Sequence, residues 1–185
     1  MSSPDRQRNE VLNQLTSALN SLIDSISPQL VTGSGTNIAY AVRGSRDGTG
    51  VAAVTGGFVI QGKKVEPVGP VGFGVDEPIT KVVLTSIKFD PGMRAAATLQ
   101  YSDRAVEILN DMFLECCTVD RKHQPPGIST MDWGVASCCK DGVPEVIIDK
   151  GVSEKSSRII LLGETPADVA GNIIMLSNRI INTES

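Results

Sequence analysis

The chain has 185 residues, four cysteines and a net charge of −4, with 41% apolar and 21% charged residues. This is ordinary globular usage and enough chain for one domain, with no apolar run long enough to cross a bilayer. The acid excess and the scattered lysines and arginines exclude a nucleic-acid surface, and the polar segment Met1 to Glu10 lacks a signal-peptide core, so a cytoplasmic protein is expected.

Val11, Leu15, Leu19, Leu22 and Ile26 form one apolar stripe on a helix that begins at Ser3-Pro4, so residues 1–27 read as a packed N-terminal helix. Pro28 and the Gly33 to Thr36 loop end it, and Asn37 to Val42 follows as a strand. After a turn at Gly44 to Gly48, Val51 to Thr55 and Phe58 to Gln61 read as strands, and Gly62-Lys63-Lys64 has hairpin chemistry. The glycine-rich loop Gly69 to Gly74 feeds a helix capped at Asp76, with Ile79, Val83 and Ile87 on one face. Glycine bends entering a helix leave backbone N–H groups free for a phosphate, so this region reads as an anion site.

Arg94 to Tyr101 reads as a strand, and Ser102 caps a helix bearing Val106, Leu109 and Phe113. Cys116 to Val119 reads as another strand, followed by the polar loop Asp120 to Gly127 with Arg121 and His123. Ser129-Thr130 is read as the cap of a short helix through Trp133, whose ring serves either stacking on a heterocycle or packing. Glu145 to Asp149 and Arg158 to Leu162 are strands flanking Lys150 to Ser157, a loop with the donors of a second phosphate cradle. The last helix opens at Thr165-Pro166 and carries Val169, Ile173, Leu176 and Ile180 on its stripe. The whole predicts an α/β fold, a mixed sheet covered by helices. The adjacent pairs Cys116-Cys117 and Cys138-Cys139 are a poor chelate, so packed reduced thiols are expected and no metal site.

In chain order, Asn37-Ile38-Ala39-Tyr40-Ala41, Val51-Ala52-Ala53-Val54, Phe73-Gly74, Phe89-Asp90-Pro91, Arg94-Ala95-Ala96, Tyr101-Ser102, Asp120-Arg121 and Asp149-Lys150-Gly151 resemble the ThiN-type thiamine-phosphate synthase domain. The resemblance runs from about Leu19 onward and implies a single ThiN-like domain over 1–185. It implies a three-layer α/β/α fold with a mixed, mostly antiparallel sheet, similar to the class II aldolase/epimerase type. The implied reaction joins hydroxymethylpyrimidine diphosphate to thiazole phosphate, giving thiamine phosphate and diphosphate. A homo-oligomer, acting on small phosphorylated thiamine precursors without nucleic acid or membrane, is expected.

Loss of diphosphate leaves a methylene cation beside the pyrimidine, so fixed cations and Mg²⁺ on the departing charge lower the barrier. Arg121 is the expected catalytic, charge-stabilising residue; its alternative is a surface pair with Asp120 or Asp132. Asn37, Gly56, Phe73, Gly74, Asp149, Gly151, Lys155 and Ser156 are expected to bind substrate, the alternative for Asn37 being an Asx turn. The chain departs from the family pattern at polar positions. Gly57 stands where the family has arginine, Val75-Asp76-Glu77-Pro78 where alanine, serine and soon histidine follow, and Thr98-Leu99-Gln100-Tyr101 in place of Asn-Ile-Arg-Tyr. Ser153-Glu154-Lys155-Ser156 replaces a Gly-Lys-Glu-Pro-type loop, and His123 is the one histidine. These losses imply weakened activity, or a non-catalytic module that senses thiamine phosphate.

Overall fold

The computed structural model describes residues 3–31, 36–126 and 131–183. The Gly33 to Gly35 stretch and the Ser129-Thr130 cap lie outside the described residues. One seven-stranded sheet runs in the order β5-β2-β1-β6-β9-β8-β7. Its strands are β1 (Asn37–Ala41), β2 (Val51–Val54), β5 (Val71–Phe73), β6 (Ala95–Gln100), β7 (Cys116–Asp120), β8 (Val146–Lys150) and β9 (Arg158–Gly163). Every neighbouring pair is antiparallel except β7 with β8. A separate hairpin pairs β3 (Phe58–Gln61) with β4 (Lys64–Pro67) across the turn that Gly62-Lys63 predicts.

Helices cover both faces, which is why β1 and β2 are buried at every residue and read as continuous apolar runs. On one face, α1 (Ser3–Ser25), α3 (Asp103–Asp111) and α5 (Pro166–Thr183) pack on Ile38, Tyr40, Leu99, Ile148 and Ile159. The stripe Leu15, Leu22, Ile173 and Leu176 is fully buried there, as its helical spacing dictates. On the other face, α2 (Pro78–Phe89) and α4 (Trp133–Cys138) lie over Ala39, Ala41, Ala53, Ala96, Ile147 and Ile160. Four alanines there let the α2 layer come close to the strands.

Several local expectations are corrected. Helix α2 is capped at Glu77, without a side-chain cap bond, rather than at Asp76, and α4 is capped by the Asp132 carboxylate. Part of the glycine-rich loop is the strand β5. Phe113 leaves the α3 stripe altogether: α3 ends at Asp111, and Phe113 takes φ 59° and is 96% exposed. The cysteines are not all reduced, because Cys117 of β7 and Cys138 of α4 form a disulfide. Alternation along β7 turns Cys117 toward the α2/α4 face, and its Cα lies 5.8 Å from that of Cys138, within bridging range. Cys139 stays a buried thiol, pushed up to about 11 by burial, and Cys116 is a half-buried one. Among the described residues no group of three potential ligands could hold a metal, and no helix is long and apolar enough to cross a membrane.

Candidate functional site

The sheet has two ends, and strand direction decides which residue stands at which. β7 and β8 finish where β9, β1 and β5 begin and where β6 and β2 finish. Asn37, Gly56, Arg121, Asp149, Gly151, Lys155 and Ser156 therefore share one end. Phe73 and Gly74 belong to the other, because β5 runs against β2 and its last residues lie beside the start of that strand: Phe73 pairs with Ala52, and the Gly74 N–H donates to Val51 O at 3.3 Å. Within the shared end, Gly56 follows β2 and Arg121 follows β7, five strands away, on the order of 24 Å at about 4.8 Å per strand.

The centre of this end is a charged cluster on the α2/α4 face. Gln100, Arg158 and Asp149 are cross-strand neighbours in one row, two residues beyond the buried Ile160 and Ile147 of the same face. Arg121 donates from Nε to Asp149 Oδ1 at 2.9 Å and from Nη2 to Oδ2 at 3.1 Å. Arg158 donates from Nε to Asp149 Oδ2 at 2.8 Å, and from Nη2 to both oxygens of Asp132 at 2.8 and 2.7 Å. Thr85 of α2 accepts the Asp132 N–H at 2.8 Å, so both helices of that layer brace the cluster. The Asp149 side chain is 1% exposed, that of Arg158 18% and that of Arg121 40%.

Burial alone would raise the Asp149 carboxyl, but the hydrogen bonds and charges of Arg121 and Arg158 outweigh it and hold the group below its ordinary value. Burial likewise opposes the Arg158 charge, and Asp132 and Asp149 more than offset it, so its titration moves upward. Arg121 is thus tied along its Nε–Nη2 edge, and its Nη1 makes no hydrogen bond with the described residues. That half-exposed edge can meet an anion.

Several expected roles meet different surroundings. Arg121 pairs with neither Asp120 nor Asp132. The Asp120 carboxylate turns back to accept Lys122 N–H at 3.0 Å, and Arg158 occupies Asp132. Asp149 faces two guanidinium groups rather than open space. Asn37 is buried: its amide donates to Val54 O at 2.8 Å and accepts Val54 N–H at 3.1 Å and Ile38 N–H at 2.8 Å, so it ties the start of β1 to the end of β2 rather than closing an Asx turn. The second cradle is folded on itself. Gly151 N–H donates to Ser157 Oγ at 2.9 Å, Ser153 N–H to Ser156 Oγ at 3.1 Å and Ser156 N–H to Ser153 O at 3.2 Å. Lys155 is exposed on that loop.

Gly56 N–H does meet an anion, but one from the chain itself: it donates to Glu77 Oε1 at 2.6 Å. Beside it Gly57 has φ +69°, and a Cβ there would stand 2.2 Å from Thr36 O, so no side chain fits at the position where the resembling family carries arginine. Two departures from the family pattern, twenty residues apart in sequence, meet at this spot. Sequence reasoning missed Arg158, whereas Glu77 already stood among the departures from the family pattern. A period-two reading of Arg158-Ile159-Ile160 against Ile147-Ile148-Asp149 would have placed the two charges on one face.

Asp149 and Asp132 are occupied by guanidinium groups, and Asp120 is turned to Lys122. The residues present therefore do not fit a resident Mg²⁺.

Comparison with known proteins gives a consistent relationship. The family model "Thiamine-phosphate synthase ThiN" matches residues 14–175. The bifunctional thiamine biosynthesis protein ThiDN of Methanocaldococcus jannaschii is 32% identical over 186 aligned positions, covering 95% of this chain and 42% of that protein. The chain thus spans less than half the length of this relative. The crystal structure of the C-terminal domain of protein MJ0236 superposes with a TM-score of 0.86 at 31% identity, covering 96% of this chain and 98% of that one. The C-terminal domain of a phosphomethylpyrimidine kinase gives 0.81 at 28%, covering 90% and 98%. L-Fuculose-1-phosphate aldolase of Thermus thermophilus, at 0.53 and 14% over 93% and 95%, shares the fold alone, which is the class II aldolase-like arrangement expected. On the family match and on this level of identity, the chain belongs to the ThiN thiamine-phosphate synthase family.

Proposed function

We propose that the chain is a thiamine-phosphate synthase-type domain that holds phosphorylated thiamine precursors at the Arg121 end of the sheet. In this reaction the thiazole nitrogen forms a bond to the pyrimidine methylene carbon while the bond from that carbon to the diphosphate oxygen breaks, and the electron pair leaves with diphosphate. The observation that carries the reading is the fixed guanidinium of Arg121, anchored to buried Asp149 on one edge and half-exposed on the other. Such a preorganised cation stabilises charge as it develops on the leaving group. Proximity of the two held substrates supplies much of the rest. Mg²⁺ would arrive with the diphosphate, and no step is assigned to it.

A second reading, binding of thiamine phosphate without turnover, is favoured by the Glu77 carboxylate on Gly56 N–H and by the closed space at Gly57. An acid there repels any phosphate at that spot, which leaves a synthase short of a place for the second of its two phosphorylated substrates, while a module binding thiamine phosphate needs only one. Purified protein mixed with hydroxymethylpyrimidine diphosphate, thiazole phosphate and Mg²⁺ separates the two. Thiamine phosphate formed by the wild type and lost in Arg121→Ala supports the synthase. Absence of product together with calorimetric binding of thiamine phosphate rejects it in favour of the binding module.

A further inference from the structure

We propose that the opposite end of the sheet carries a second anion site, built by Arg8, Arg43, Arg46 and Arg94, that takes a phosphate or diphosphate group. Two adjoining hollows lie there, of about 230 and 270 Å³, both lined by Gln7, Val42 and Arg43. Arg94 lines the first, and Arg8 and Arg46 the second. Their acidic lining residues are Glu10 in the first and Asp47 in the second, so four positive groups face two negative ones in a chain of net charge −4.

Among the described residues, none of the four arginines has a carboxylate within ion-pair distance. The Asp47 carboxylate is turned to the Thr49 N–H and hydroxyl instead.

Two of these cations are held in place without being neutralised. Arg94 donates to Ala41 O at 2.9 Å and to the Tyr40 hydroxyl at 2.7 Å, with its guanidinium 4.7 Å from the centre of the Tyr40 ring. Arg8 donates to Thr49 O at 3.0 Å and lies 3.9 Å from the centre of the Phe73 ring. Neutral carbonyls and aromatic faces orient a guanidinium while leaving its charge uncompensated, so ordering has already happened when an anion arrives. Arg43 and Arg46, on the turn after β1, are exposed and free to close on it. Each hollow is smaller than the roughly 300–1,000 Å³ that drug-sized ligands occupy, which suits an anionic headgroup rather than a whole nucleotide.

Calorimetric titration of the full chain with inorganic diphosphate, and separately with inorganic phosphate, tests this. The variants are Arg43→Ala/Arg46→Ala, Arg94→Gln and Arg121→Ala. The expected result is diphosphate or phosphate binding that Arg43→Ala/Arg46→Ala weakens by about tenfold or more, the size of a lost charge-assisted hydrogen bond, and that Arg121→Ala leaves in place. Arg94→Gln should weaken the same binding event. Binding unchanged in both Arg43→Ala/Arg46→Ala and Arg94→Gln overturns the proposal, as does the absence of any binding by the wild type. Loss in Arg121→Ala alone supports the reading of the first site and overturns this one. Loss only in the variants at the opposite end supports this site and leaves the Arg121 reading to its own turnover assay.

Discussion

The two ends of the sheet hold arginines in opposite ways. Beside β7, β8 and β9, two guanidinium groups meet two carboxylates in a partly buried neutral cluster, whereas near α1 and the turn after β1 four guanidinium groups face carbonyls, rings and solvent. The first arrangement trades attraction for shape: Asp149 fixes where Arg121 points but cancels much of its field. The second keeps its field and leaves part of its geometry loose. A count of lysines and arginines along the chain cannot separate the two, because the difference lies entirely in which acids the fold brings alongside.

Asp149→Ala is the harshest way to break that contrast, since it strips both Arg121 and Arg158 of a shared buried partner. Urea denaturation should show a loss of about 3–5 kcal/mol, the usual penalty for removing one member of a buried ion pair. Binding of diphosphate at the opposite end should be unchanged wherever the variant is still folded. Acid probes the same contact. Because the Asp149 carboxyl is held below its ordinary value in the folded chain, its contribution is fully present above the unfolded value of about 3.9 and fades as pH falls through the lower folded one. Melting temperature followed from pH 6 downward should thus fall in the strongly acid range, and Asp149→Asn should flatten that part of the curve.

Next in size is the covalent link between β7 and α4, which closes a loop with a sequence separation of 21 and contains Arg121 and Asp132. Cys117→Ser/Cys138→Ser should cost about 3 kcal/mol by the loop-entropy argument, with a lower melting temperature for the oxidised wild type once dithiothreitol is added. Gly57→Ala should cost about 1–3 kcal/mol in the same assay, because its backbone is left-handed and Thr36 O stands where the methyl group must go. The smallest expected effect belongs to the uncompensated end. Arg43→Ala/Arg46→Ala should change stability by less than about 0.5 kcal/mol, as exposed substitutions do, while changing anion affinity most. A large stability loss there would erase the distinction between the ends.

Local periodicity carried much of the fold. The stripe of Val169, Ile173, Leu176 and Ile180 located α5, and Gly62-Lys63 located the hairpin turn, since both signals sit within a few residues of each other. β5 was not legible, because Val71-Gly72-Phe73 is short, glycine-bearing and made a strand only by pairing with β2. The disulfide was hidden for a related reason: facing pairs of cysteines are visible only once β7 and α4 are known to touch. At the site, Arg121 stood out as a basic residue in a polar loop, but its partner lies 28 residues away and on another strand. The alternation that buries Ile147 and Ile160 was present in the sequence. Knowing that β8 and β9 are neighbours, which turns it into an Arg158–Asp149 contact, was not.

The two margins of the sheet are unequally secured. β7 is hydrogen-bonded on one flank only, yet it is stapled to the helix above it, while β5 at the far margin is a three-residue, half-buried strand with no such fastening. Peeling should therefore start at β5, with amide protons of Val71 to Phe73 exchanging well before those of Cys116 to Asp120. Because Phe73 is the ring beneath Arg8, an early opening there would scatter one wall of the basic hollow while the aspartate-bound arginines at the other end stay assembled.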